Sequence, residues 1–176
     1  MEYFDVLDEN GNKTGKTKLR SEVHRDGDWH KEVHIFIIND NNEILLQRRS
    51  AVKDSYPNLW TTSVSGHPSA GDNSIDAAIR EIEEEIGLNV AKEDLKYLFT
   101  VKENRIQGNI INNQFSDVFL INKNINIKDL KLQEEEVSEV KFFTYEEFKN
   151  MVDTDDKNLV PHKEMDNRLL KILGKI

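Results

Sequence analysis

The 176-residue chain has no cysteine, which excludes disulfides, thiolate metal sites and cysteine nucleophiles. It has no apolar run near the roughly 18 residues that a membrane span requires. Its start, "MEYFDVLDENG", is acidic and lacks the apolar stretch of a secretory signal, so a cytoplasmic protein is expected. Positive charge is in deficit: 24 Lys and Arg stand against 33 Asp and Glu, a net charge of −9. That balance disfavours broad nucleic-acid binding and docking to anionic membranes, because both need clustered cations. A small anionic substrate needs only a few local cations and a metal, and it stays open. Internal repeats, low-complexity tracts and long linkers are also missing. The length suits one domain, residues 1–176, with a sizeable core.

What is present reads as alternating strands and helices. "YFDVLDENGNKTGKTKLR" alternates around Asn10-Gly11 and predicts a β-hairpin. Val33–Ile38 and Ile44–Arg48 are strands joined by the polar turn Asn39–Asn42. Trp60–Ser65 is β-branched and hydroxyl-rich, a short strand, and 67–73 is a loop holding Pro68 and Gly71. A helix follows with Asn73 or Ser74 as its N-cap and Gly87 just past its last turn. Further strands are expected at 95–101, 110–121 and 140–143. Thr144 caps a short helix, and 162–176 makes a C-terminal helix with Met165, Leu169, Leu170 and Leu173 on one side. The fold class is α+β: a largely antiparallel or mixed sheet flanked by helices.

The helix at 74–86 raises a question of its own. Glu81, Glu83, Glu84 and Glu85 crowd one stretch, and like charges three or four residues apart repel by about 0.2–0.5 kcal/mol per pair. Wound at 100° per residue, Ile75, Ala78, Ile79, Ile82 and Ile86 share one stripe. Glu81, Glu84 and Glu85 share a roughly opposite arc about 100° wide. Clustered carboxylate oxygens suit hard cations such as Mg²⁺ or Mn²⁺. A solvated charged face is the plain alternative.

The residues around the helix decide between them. Gly66, five residues, Asp72, seven residues, then Arg80-Glu81-Ile82-Glu83-Glu84-Glu85-Ile86-Gly87-Leu88 resembles the signature of the Nudix hydrolases across 66–88. At average residue usage, chance agreement at those positions is well below about one in a million. The resemblance implies an α/β/α sandwich, a mixed sheet between helices, with the motif as loop-helix-loop. It implies that Glu81, Glu84 and Glu85 hold a divalent metal, Mg²⁺ or Mn²⁺, and that Arg80 orients them by charge-assisted hydrogen bonds. Gly66 and Gly87 would permit the backbone turns. Asp72 stands where the family usually has glutamate, keeping the charge on a side chain one methylene shorter. The implied chemistry is hydrolysis of a nucleoside diphosphate linked to another group.

"NEILLQRRSAVKDSYPNLWTTSVSGHP" resembles the branch that contains isopentenyl-diphosphate isomerase and its hydrolase relatives. In those isomerases a tryptophan-threonine stretch leads to a catalytic cysteine two residues before a histidine; here Ser65 takes the cysteine position and His67 follows. The isomerase metal site uses three histidines and two glutamates. His67, His24 and His30 match the histidines, with one residue fewer between the last two, while Asn112 and Gln114 stand at the glutamate positions. Three histidines still suit a second metal site, and His34 and His162 are expected to be structural. Arg20, Arg49 and Lys53 match basic positions that grip diphosphate, whereas Arg48 should face away by strand alternation. Trp29 and Tyr56 are candidate stacking partners. The acidic run 133–140 carries no assigned role.

The leading expectation is therefore a Mg²⁺-dependent hydrolase acting on a small diphosphate. An isomerase with serine for cysteine and a non-catalytic nucleotide-binding module are the alternatives, and a homodimer is compatible with either.

Overall fold

The computed structural model describes residues 1–175. β1 (Tyr3–Leu7) and β2 (Lys13–Leu19) form the expected hairpin, with Gly11 at φ +84° in its turn. α1 (Arg20–Asp26) leads into the long strand β3 (Trp29–Ile38), then β4 (Ile44–Arg49) and the short β5 (Trp60–Thr61) and β6 (Val64–Gly66). After α2 (Ser74–Ile86) come β7 (Lys96–Gln107), β8 (Ile110–Asn122) and β9 (Val137–Phe143). α3 (Tyr145–Asp153) and α4 (Lys163–Leu173) follow.

β3 organises the mixed sheet. β8 runs parallel to it from Trp29↔Asn113 to Ile38↔Asn122, and β7 extends that side antiparallel. The other edge of β3 is shared in turn by β1, β6 and β4, and β4 carries β5 and β9. Alternation sends Val33, Ile35 and Ile37 into a core with Ala78, Ile82 and Ile86 of α2. Phe36 and Ile38 join Phe148, Met165 and Leu169 of α3 and α4 on the opposite face. Helices thus cover both faces, the layered arrangement expected. Ile82 and Ile86 are fully buried, each contributing about 1.5–3 kcal/mol.

The second face changes character along its length. On β3, His30, Glu32 and His34 precede Phe36 and Ile38; on β8, Asn112, Gln114 and Ser116 precede Val118 and Leu120. The register pairs His30 with Gln114, Glu32 with Ser116 and Phe36 with Leu120, so the polar ends coincide. One half of the face is core and the other is free to line a cavity.

Four expectations need correction. Trp60–Ser65 is two strands, because Ser63 wedges between β3 and β4 where they diverge. Its hydroxyl accepts from Ile37 N–H and donates to the Leu45 carbonyl. α1 was not expected: at seven residues it is too short for periodicity to show, although Gly27 at φ +69° closes it and Glu22 accepts from Leu19 N–H. β9 starts at Val137, three residues before the expected 140. Ile75 is 38% exposed rather than on the buried stripe, since the first turn of α2 overhangs the sheet.

Candidate active site

Asn73 caps α2, its side-chain oxygen accepting from Asp76 N–H at 2.9 Å, and Gly87 ends it at φ +66°. A Cβ on Gly87 would lie 2.8 Å from Cβ of Lys131, so no side chain fits there. Between these stops the glutamates do not form the outward arc expected. Glu85 is 5% exposed, Glu81 has a side chain 12% exposed, and only Glu84, at 53%, faces solvent. The arc adjoins the apolar stripe, so the sheet buries its near edge.

That burial shapes the chemistry. Burial pushes the Glu85 carboxyl up to about 8, with the Glu81 charge adding to it and a hydrogen bond from Gln47 opposing. Gln47 Nε2 donates to Glu85 Oε2 at 3.1 Å. Burial likewise pushes Glu81 up to about 7 against the pull of Arg80. Arg80 Nη1 donates to Glu81 Oε1 at 2.9 Å and to Glu84 Oε2 at 3.4 Å, and Nη2 donates to the His67 carbonyl at 2.9 Å. Asp72 makes no hydrogen bond to Arg80 among the described residues and acts on it only as a nearby charge. Gly66 has the sharpest requirement: a Cβ there would sit 2.1 Å from Cδ of Glu81. Only glycine lets that carboxylate approach the strand.

A cavity of about 470 Å³ opens in front of this helix. Glu81, Glu84, Glu85, Arg80, Gly66, Arg20, Arg49 and Lys53 all line it. Arg49 donates through Nε to the Ser55 carbonyl at 3.0 Å, whereas Arg48 turns away to the Asn58 carbonyl, as alternation predicts. Lys53 pairs with Glu136, and Arg20 Nη1 with Glu2 Oε2 at 3.0 Å. Glu136 thus gives the acidic run a place in the cavity wall. Tyr56 also lines it; Trp29 instead packs on Phe115 under Lys102.

The three expected histidines converge. Ligand atoms of His24, His30 and His67 all lie within 4.8 Å of one another. Phe4 stacks against His30 and His67, at 5.4 and 4.7 Å between ring centroids. His30 Nδ1–H donates to the Asp28 carbonyl at 3.1 Å, which leaves its Nε2 as a bare acceptor. Nε2 of His30 and of His24 are buried without a protein partner. Burial lowers all three pKa values, His24 to about 4, so the imidazoles are neutral, the form that ligates metal.

His34 and His162, expected to be structural, also line the cavity. They meet edge to face at 4.8 Å. His34 Nε2 lies 2.9 Å from Glu32 Oε2, and Arg105 Nη2 donates to His162 Nδ1 at 2.8 Å. Glu32, Glu103 and Arg105 were not singled out from sequence. The readable signal was alternation: these residues occupy every second position of β3 and β7 before the apolar half begins.

The NUDIX domain family model matches residues 28–163. Nudix hydrolase 3 of Arabidopsis thaliana is 44% identical over 166 residues, 92% of this chain; the chain spans only 22% of that protein's length. An uncharacterised Nudix hydrolase of Listeria monocytogenes is 35% identical over 147 residues, 84% of this chain and 82% of that protein. An isopentenyl-diphosphate Delta-isomerase of Serratia proteamaculans is 29% identical over 119 residues, 68% of this chain and 65% of that one. A crystal structure from Deinococcus radiodurans shares the fold, with a TM-score of 0.75 at 19% identity, covering 95% of this chain and 98% of its own.

Proposed function

The chain belongs to the Nudix hydrolase family, and from that premise we propose a divalent-metal-dependent hydrolase of a small diphosphate, a nucleoside diphosphate derivative or a related compound. The observation that carries the reading is that three carboxylates and three basic side chains line one cavity. Glu81, Glu84 and Glu85 would hold Mg²⁺ or Mn²⁺. Their fit is supported by two buried carboxylates whose charges oppose one another in the empty protein. When bound, the ion neutralises phosphate charge and lowers the pKa of a water that attacks phosphorus. Arg80 fixes Glu81 and Glu84, and Gln47 fixes Glu85. Arg49, Lys53 and Arg20 would bind the diphosphate, Lys53 and Arg20 exchanging Glu136 and Glu2 for phosphate oxygens.

Glu84 is exposed, so Glu84→Gln leaves folding intact and is expected to cut turnover about a hundredfold or more. The assay is a panel of nucleoside di- and triphosphates, dinucleotides, sugar nucleotides and prenyl diphosphates with Mg²⁺ and Mn²⁺. Product release that survives in Glu84→Gln at the wild-type rate contradicts the reading. Allylic product from isopentenyl diphosphate, followed by NMR, would favour the isomerase instead; Ser65, Asn112 and Gln114 speak against it.

We infer a second metal centre at His24, His30 and His67, supported by the two unpartnered Nε2 atoms. Metal analysis after dialysis against Zn²⁺ or Mn²⁺ should find one ion fewer per chain in His24→Ala than in wild type. Equal contents would remove this centre.

A further inference from the structure

Arg105 and Asn112 are direct cross-strand partners on β7 and β8. Opposed residues of an antiparallel pair hold their Cβ atoms about 4.5–5.5 Å apart on one face. Both side chains line the cavity. Each also keeps one buried polar atom without a protein partner: Arg105 Nε, a donor, and Asn112 Oδ1, an acceptor. The rest of the Arg105 guanidinium is committed, through Nη2, to Glu103 and His162. Its position is therefore fixed before any ligand arrives.

An unpaired buried donor beside an unpaired buried acceptor is costly and calls for a ligand atom that serves both. A hydroxyl does: it accepts from Arg105 Nε–H and donates to Asn112 Oδ1. The wall around the pair is polar as well, with Glu103, Gln114 and His162 next to it. Among the described residues, no aromatic face other than imidazole flanks the pair on these strands. A hydrocarbon chain would bury both atoms unsatisfied, and a planar base would find no platform there.

We infer that the Arg105–Asn112 pair is a hydroxyl-recognising subsite, and that the group attached to the diphosphate is a sugar or polyol. This rests on the diphosphate-hydrolase reading and narrows its substrate class. It also gives the amide at position 112 a use that the glutamate of the isomerase-like branch would not have.

The test uses two five-carbon probes that differ only in oxygenation, ribose 5-diphosphate and n-pentyl diphosphate, titrated by calorimetry into the Mg²⁺-loaded protein. Wild type should bind the ribose compound about tenfold tighter or more. Asn112→Leu, and independently Arg105→Gln, should bring that ratio to within about threefold of one. Should Asn112→Leu fail to keep the wild-type circular dichroism spectrum, Asn112→Ser replaces it, with a smaller fall in the same ratio. A wild-type ratio near one, or a ratio unmoved in folded variants, overturns the subsite. Phosphate release from either probe is read in parallel. Preference without release contradicts the hydrolase reading alone, and release without preference contradicts the subsite alone.

Discussion

Gly66 shows how much one missing methyl group can carry. Its absent Cβ is the space that Cδ of Glu81 needs, since the two would otherwise sit 2.1 Å apart. Gly66→Ala must therefore push Glu81 away from the other carboxylates while leaving the buried face of α2 untouched. Displacing a catalytic group by an ångström can cost about a hundredfold in rate. Gly66→Ala is expected to lose about that much turnover, and to lose the rise in melting temperature that Mg²⁺ gives wild type by binding the folded state. Differential scanning fluorimetry with and without Mg²⁺ checks it; a wild-type Mg²⁺ shift in the variant would refute the packing argument. At this scale the sequence was largely readable. Gly66, Arg80 and the glutamates stand at fixed spacings, and all converge on the cavity. Asp72 was readable as a charge but not as a hydrogen-bond partner, because the reach of a side chain depends on backbone paths that spacing does not encode.

At the scale of elements, α2 is held by its cap and by its buried stripe, and these can be separated. Asn73→Ala removes the acceptor for Asp76 N–H and should cost about 1 kcal/mol. Ile82→Ala empties a fully buried position between α2 and the sheet and should cost about 2–5 kcal/mol. Urea unfolding of the metal-free protein gives both numbers, and the order Ile82→Ala well above Asn73→Ala is the point of the comparison. Equal losses would mean that α2 is not docked through its isoleucines. Long elements with clear periods, such as β3, β8 and α2, were legible to within a few residues at their ends. α1 was not, because seven residues give barely two turns, and with it went the structural setting of His24. The break between β5 and β6 was hidden because it depends on Ser63 bridging two strands far away in sequence.

Across the whole molecule, the cavity exists because strands distant in sequence align their polar halves. No local pattern contains that register, which is why Arg105, Glu103 and His162 escaped a reading that found the glutamate helix. The same alignment makes stability depend on acid. Burial lowers His162 to about 4, helped by the Arg105 charge, with Glu103 opposing and His34 against its ring. An unfolded histidine takes a proton below about 6.5. Between those values the unfolded chain binds a proton that the folded chain does not, so stability falls as pH drops from about 6.5 towards 4. His162→Gln should flatten that slope, by up to about a tenfold change in the unfolding constant per pH unit. Melting temperatures of both proteins from pH 7 to 4 test this, and parallel curves would contradict it.

The most direct test of the whole account is where a divalent ion binds. Crystals grown with Mn²⁺ and methylenediphosphonate should give an anomalous peak among the carboxylates of Glu81, Glu84 and Glu85, with the diphosphonate reaching Arg49 and Lys53. An anomalous map empty beside those three side chains, with the diphosphonate bound elsewhere, would contradict it.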